Sequence, residues 1–261
     1  MTDSTTLNGK IIVVTGGTQG VGEGIATLVA QRGAAGIVIC GRGTENGERV
    51  AAKLREIGSE ALYVQADLGE VAQSRAVITA AKERFGRIDG LVNAAAISTR
   101  GSIEDTSEAL FDLMFDVNVR APFFLMQEAV KVMQETGSGG SIINISSISA
   151  RGGQPSLAAY SASKGAINTL TKNVAHSQRS HRIRVNAIIL GWTVTPNEHK
   201  VQLAAGNPEN WLEGADATAN FGRILRPRDV AGICCYLLSD ESEMMTGSII
   251  DFDQNVDGTF D

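Results

Sequence analysis

Short apolar runs alternate with longer helical patterns along all of this 261-residue chain, and no other feature limits the fold as much. A strand, a helix and a second strand in succession build a parallel sheet, because the helix crosses the sheet face and returns the chain in the same direction. The expected strands cover residues 10–15, 35–40, 61–66, 88–93, 141–146, 183–189 and 248–252. The first is apolar without alternation, as a strand buried on both faces should be. Helical patterns occupy residues 23–32, 45–57, 73–85, 108–133 (bent near Pro122), about 156–176 and 227–238. Residues 191–220 are polar and poorly periodic, and a mobile loop or small helical flap is expected there. With no repeat, linker or low-complexity segment, the reading is one domain over residues 1–261.

The turn after the first strand reads Gly16-Gly17-Thr18-Gln19-Gly20-Val21-Gly22 and opens a helix. Such a turn aims backbone N–H groups and the positive helix end at one point, where a pyrophosphate can sit. Farther on, Tyr160 and Lys164 lie four apart, on one face of a helix. An ammonium so close is expected to lower the tyrosine pKa from its reference of about 10 and suit it to proton exchange with an alcohol or carbonyl. Ser147 ends the fifth apolar run, where α/β proteins place functional groups, and its hydroxyl can hold the same substrate oxygen.

Composition narrows the partners. A net charge of −6 argues against nucleic acid and anionic membrane. No apolar run approaches the roughly 20 residues of a membrane span, and residues 1–6 lack the basic and apolar regions of a signal peptide. Cys40, Cys234 and Cys235 fit neither a disulfide framework nor a metal spacing, so reduced core cysteines, no metal and a cytoplasmic location are expected.

Thr15 to Gly22, Asn93-Ala94-Ala95-Ala96, Asn118, Ser147 and Tyr160-x-x-x-Lys164 together resemble the short-chain dehydrogenase/reductase family, in its order and spacing, over about residues 8–258. The resemblance implies a Rossmann-type, doubly wound, seven-stranded parallel sheet with helices on both faces. It also implies NAD(P)-dependent redox chemistry on a small carbonyl or alcohol, with hydride passing to or from nicotinamide C4 and no metal required. Tyr160 would be the acid for reduction and the base for oxidation, and Ser147 would donate to the substrate oxygen. Lys164 would hold the nicotinamide ribose, and Asn118 would hold a water linking Lys164 to solvent. Gly16, Thr18, Gln19, Gly20, Val21, Gly22, Asp67, Leu68, Asn93, Ala94, Ala95, Gly191, Thr193 and Thr195 would join Tyr160 and Lys164 around the cofactor, Asp67 at the adenine and Thr195 at the carboxamide. Assembly as tetramers or dimers is implied through helices at about 108–133 and 156–176, with residues 249–255 buried by a neighbouring chain.

Gly41 stands where an acid would bind the adenosine ribose of NAD, and Arg42 follows. A small residue leaves room and a guanidinium can pair with a 2′-phosphate, so NADP(H) is favoured over NAD(H), although Gln19 occupies a position where many NADP-preferring members are basic. The sequence departs from the family at Ala96 and at Leu190, where glycine and proline are usual; Trp192 follows. By resemblance, specificity lies in residues 98–102, 148–157 and 192–220, with Ser149, Gln154 and Trp192 the foremost substrate candidates. Arg100 and Arg151 could bind an anion, whereas Glu198 and His199 read as solvated loop residues. The polar lining suggests a sugar, polyol or oxo-acid; the alternatives are a 3-oxoacyl-carrier-protein reductase and, in another class, a non-catalytic nucleotide sensor.

Overall fold

All five residues of Ile11–Thr15 (β1) are buried, because alternate side chains point into different layers. Ile12 and Val14 enter one core with Ile37, Ile39, Ile143 and Ile188, while Val13 enters another with Val38, Leu91, Ile142 and Val185. The computed structural model describes residues 6–256; residues 1–5, read above for leader character, and 257–258 of the expected resemblance lie outside them.

After β1 the described chain runs through Gly20–Gln31 (α1), Gly36–Gly41 (β2), Thr44–Ile57 (α2), Glu60–Gln65 (β3), Val71–Phe85 (α3) and Gly90–Asn93 (β4). Glu108–Phe115 (α4), Ala121–Thr136 (α5), Gly140–Ile145 (β5), Ala158–Gln178 (α6) and Ile183–Leu190 (β6) follow. Pro196–Ala204 (α7), Trp211–Thr218 (α8), Pro227–Leu238 (α9) and Ile249–Phe252 (β7) complete it. The seven strands form one sheet in the order β3-β2-β1-β4-β5-β6-β7, every neighbouring pair parallel. Residues of α1, α2 and α9 line the first core, and residues of α3, α5 and α6 the second, so helices cover both faces as expected.

The chain reverses its direction of travel across the sheet between β1 and β4, and a crevice opens there beyond the strand ends. Thr15 Oγ1, at the end of β1, accepts from the N–H groups of Ala94 (3.1 Å) and Ala95 (3.2 Å), tying the two lips together. Gly16 adopts φ +64°, and a Cβ there would lie 2.8 Å from Ala95 Cα. Gly22 is tighter still, since a Cβ would meet the Gly16 carbonyl oxygen at 2.3 Å.

One expectation needs correction, and one open alternative is decided. The helix expected over 108–133 is interrupted by a π-turn, Asp116–Arg120, so the irregularity centres on Asn118 and not on Pro122, which sits inside the first turn of α5. Residues 191–220 carry two helices, α7 and α8; Trp211 and Ala215 of α8 pack with Ile224 in a small separate apolar cluster. The helical flap, and not the open loop, is therefore the form this segment takes; its weak periodicity reflects how little of it faces the core. Leu190, where the family usually has proline, stays in the ladder opposite Phe252, and the following Gly191 N–H donates to the Phe252 carbonyl at 3.1 Å.

Two alanine substitutions test the turn. Gly22→Ala, which forces backbone apart, is expected to destabilise by about 1–3 kcal/mol. Gly232→Ala, on the exposed face of α9 with open space around it, is expected to stabilise by about 0.5–1 kcal/mol. Urea unfolding measures both, and equal effects would contradict the close approach at Gly22.

Candidate active site

Tyr160 and Lys164 stand one turn apart on α6, with Lys164 Nζ 5.7 Å from the Tyr160 ring centroid. The lysine is 4% exposed, and its ammonium donates to the carbonyl of Ile145, the last residue of β5, at 2.7 Å. Burial lowers its pKa to about 8.

The phenol corrects the expectation of a lowered pKa. Burial raises the Tyr160 pKa, the hydrogen bond with Ser147 pulls it back, and the Glu198 carboxylate pushes it up again. In the ligand-free protein Tyr160 is therefore a protonated acid at neutral pH.

Ser147 follows β5 in extended geometry and opens a short 3-10 turn, Ile148–Arg151. Its Oγ accepts from the Ser149 N–H at 3.1 Å and donates to Ser149 Oγ at 3.2 Å, and Ser149 Oγ donates to Gln154 Oε1 at 2.5 Å. Three residues proposed separately from sequence thus form one hydrogen-bonded chain beside the tyrosine. Asn118 is 1% exposed and clamps two segments: Oδ1 accepts from the Ile97 N–H, and Nδ2 donates to the Ile97 carbonyl and to Ser163 Oγ.

A cleft of about 560 Å³ runs from Tyr160 to Arg42. Gly16, Thr18, Gln19, Gly20, Val21, Gly22, Arg42, Asp67, Leu68, Ala94, Ala95 and Thr195 line it with Tyr160, as the sequence led us to expect. The other expected cofactor residues stand behind the wall. Asn93 is 4% exposed and donates to Asn144 Oδ1 at 2.8 Å, leaving its own Oδ1 buried with no partner among the described residues. Gly191 packs against Asp253, and Thr193 Oγ1 donates to the Gly191 carbonyl at 3.0 Å. Ser98 and Thr99, from the expected specificity segment 98–102, also line the cleft; Asn46, Leu113 and Val117 do so too and were missed. Leu113 and Val117 are spaced like core residues of a helix, a pattern that carries no sign of a ligand. Asn46, four residues beyond Arg42 at the start of α2, had a findable position.

The lining suits a pyrophosphate-bearing cofactor. Two positions in the floor have no room for a Cβ, so backbone can approach a ligand there, and α1 begins at Gly20 with its N–H groups facing the same space. Asp67 does not cap α3, whose N-cap is Glu70; its Oδ1 accepts from the Gly69 N–H at 3.0 Å. The Arg42 side chain is exposed and free of protein hydrogen bonds among the described residues.

The flap borders the cleft through Thr195, Pro196 and Asn197. Trp192 stacks on Trp211 with ring centroids 5.7 Å apart, and its Nε1 donates to Glu198 Oε1 at 2.8 Å. Trp211 Nε1 donates to His199 Nδ1 at 2.9 Å. Glu198 and His199 are thus tied into the flap by hydrogen bonds while partly exposed, and are not the free loop residues expected. Arg151 pairs with Asp251 of β7, so it is not a spare anion binder.

An ultraviolet titration of the ligand-free protein, wild type minus Tyr160→Phe, is expected to give no phenolate signal below the ordinary tyrosine value of 10.0. Ionisation near neutral pH would contradict the burial argument.

Comparison with known proteins agrees with this geometry. A family profile described as enoyl-(acyl carrier protein) reductase matches residues 8–255. The NADP-dependent (R)-specific alcohol dehydrogenase of Lentilactobacillus kefiri is 36% identical, with 95% of this chain and 96% of the relative covered. The 3alpha-hydroxysteroid dehydrogenase of Mediterraneibacter gnavus is 36% identical over the same shares, 95% and 96%. The crystal structure of a short-chain type dehydrogenase/reductase from Mycobacterium marinum superposes with a TM-score of 0.86 at 29% identity, covering 96% of each chain.

Proposed function

The chain belongs to the short-chain dehydrogenase/reductase family of NAD(P)-dependent oxidoreductases, and from that premise we propose that it interconverts a small carbonyl compound and its alcohol in front of Tyr160. The observation that carries this reading is Tyr160 at one end of a cleft whose other lining is a glycine cradle, with Ser147 and the buried Lys164 beside the phenol. The nicotinamide, when bound, supplies or accepts the hydride. The residues do the rest. Tyr160 gives its proton to the substrate oxygen in reduction and takes it back in oxidation, and Ser147 donates a hydrogen bond to the same oxygen. Lys164 holds the cofactor ribose and favours the phenolate as it forms. Asn118 fixes the loop after β4 against α6, so that these groups keep their spacing.

For the cofactor we favour NADP(H). The Arg42 side chain has no protein partner among the described residues, and an acid in place of Gly41 would meet Thr18, since even a Cβ would lie 2.8 Å from Thr18 Oγ1. The substrate read from Ser149, Gln154 and Trp192 is small and polar. A 3-oxoacyl-carrier-protein reductase is the second reading, supported by the description of the matching profile. A cytoplasmic location fits three free, buried cysteines, and none of the described helices is long and apolar enough to cross a membrane. Assembly into tetramers or dimers fits the half-exposed Phe111, Leu113 and Phe123 on α4 and α5.

Tyr160→Phe is expected to lower turnover by about 10²–10⁴-fold while calorimetry still registers cofactor binding. An unchanged rate would favour the sensor reading. Arg42→Ala should weaken NADPH roughly tenfold and leave NADH alone; equal effects on both would overturn the NADP(H) preference. Light scattering should give a mass of two or four 27.5 kDa chains, and a monomer at micromolar concentration would defeat the assembly.

A further inference from the structure

Between β5 and α6 the hydroxyl of Ser149, 4% exposed, is occupied on both sides. Its one proton goes to Gln154 Oε1 at 2.5 Å, an oxygen with none to return. Toward Ser147 it therefore shows only lone pairs, and Ser147 Oγ donates to it at 3.2 Å. Ser147 Oγ also accepts from the Ser149 N–H at 3.1 Å, so one residue fixes both the position and the proton of the serine hydroxyl. The arrangement is anchored at each end. Beside Ser147, Ser146 Oγ donates to the Lys164 carbonyl at 3.4 Å and Lys164 Nζ to the Ile145 carbonyl at 2.7 Å, which fastens this strand end to α6. Gln154 opens the turn into α6, where its carbonyl accepts from the Leu157 N–H at 3.0 Å. Gly152 and Gly153 precede it at φ +86° and +83°, the left-handed region that lets the backbone double back and bring Gln154 to Ser149. Both hydroxyl protons thus run one way, from Ser147 through Ser149 to Gln154. The Ser147 oxygen is left an acceptor toward its hydrogen-bond neighbour Tyr160.

We propose that Ser149 and Gln154 are positioning residues for the reaction: they hold the Ser147 proton away from Tyr160, so that Ser147 accepts from the phenol at rest and turns its proton into the cleft only toward an oxygen that gains charge. The reason is a difference in strength. A hydrogen bond to a charged oxygen is worth about twice one to a neutral hydroxyl, so the proton leaves Ser149 for an alkoxide or phenolate but gains little by leaving for a ketone. This rests on the reading of Tyr160 and Ser147 as the pair that handles the substrate oxygen, and deepens it. A phenolate at Tyr160 obtains the Ser147 proton only at the expense of the Ser149 bond, which makes Tyr160 a weaker acid than a lone serine neighbour would.

An ultraviolet titration of the ligand-free full chain reads this without any substrate, each variant minus its own Tyr160→Phe counterpart. Ser149→Ala removes the acceptor. Gln154→Leu frees the Ser149 proton to turn back onto Ser147, and because Gln154 is exposed this change spares the core and decides the matter even where Ser149→Ala does not fold. Both should move the onset of phenolate absorbance down by about half to one pH unit, the worth of one neutral hydrogen bond. An apolar side chain that acted only by drying the turn would move it up. Gln154→Glu keeps an acceptor without a proton, so its onset should not fall. In a Ser147→Ala background neither Ser149→Ala nor Gln154→Leu should move the onset, since both act through Ser147. With a ketone that the wild type reduces, the alkaline limb of kcat/KM should fall by the same margin in Gln154→Leu. An onset unmoved or raised in Gln154→Leu, or a fall that survives in the Ser147→Ala background, would overturn the proposal and leave the reaction intact. The expected shifts in a protein that binds no nicotinamide cofactor and reduces no ketone would overturn the carbonyl–alcohol reading, and the role in it, while the proton arrangement stands.

Discussion

One hydrogen bond, from the buried ammonium of Lys164 to the carbonyl of Ile145, governs the arrangement of the site. It fastens the first turns of α6 to the end of a central strand, and so decides where Tyr160, one turn earlier, points. A pKa near 8 in place of 10.5 means that keeping this charge buried at neutral pH costs the fold on the order of 3 kcal/mol. Because the folded value lies below the unfolded one, the cost is greatest below pH 8 and fades as pH rises toward 10.5. A core residue chosen for stability alone would not be a lysine. Its presence marks α6 as an element whose position serves chemistry.

The surrounding structure reduces the freedom of that site in steps. Thr15 ties the lips of β1 and β4, the Asn118 side chain ties the loop after β4 to α6, and the Ser147–Ser149–Gln154 chain orders the turn after β5. Each tie joins the end of a strand to a neighbour, which is where a parallel sheet gathers loops from distant parts of the chain. The cleft is therefore lined by rigid strand ends on one side and by a flap on the other. The flap is held by apolar packing at Trp211 and by the Trp192–Trp211 stack.

Much of this was legible in the sequence because the signals were local. The alternation of strands and helices, the glycine turn and the Tyr160–Lys164 spacing each follow from a few neighbouring residues. What stayed hidden depended on contacts far apart in sequence. The π-turn carries Asn118, whose side chain clamps onto Ile97, 21 residues earlier. The direction of the Tyr160 shift depends on burial and on Glu198, 38 positions later, neither of which spacing reveals. Glu198 read as a solvated loop residue because its partners Trp192 and Gln202 have no pattern that links them until α7 forms.

The central claim is that this cleft moves a hydride between a nicotinamide and a small carbonyl substrate. Absorbance at the nicotinamide band tests it most directly, with NADPH and NADH in separate runs against hydroxyketones, ketoses, alkyl ketones and oxoacyl thioesters. The account predicts oxidation of NADPH by at least one hydroxylated ketone, and binding of NADPH by calorimetry. Failure to bind either nicotinamide cofactor would contradict it.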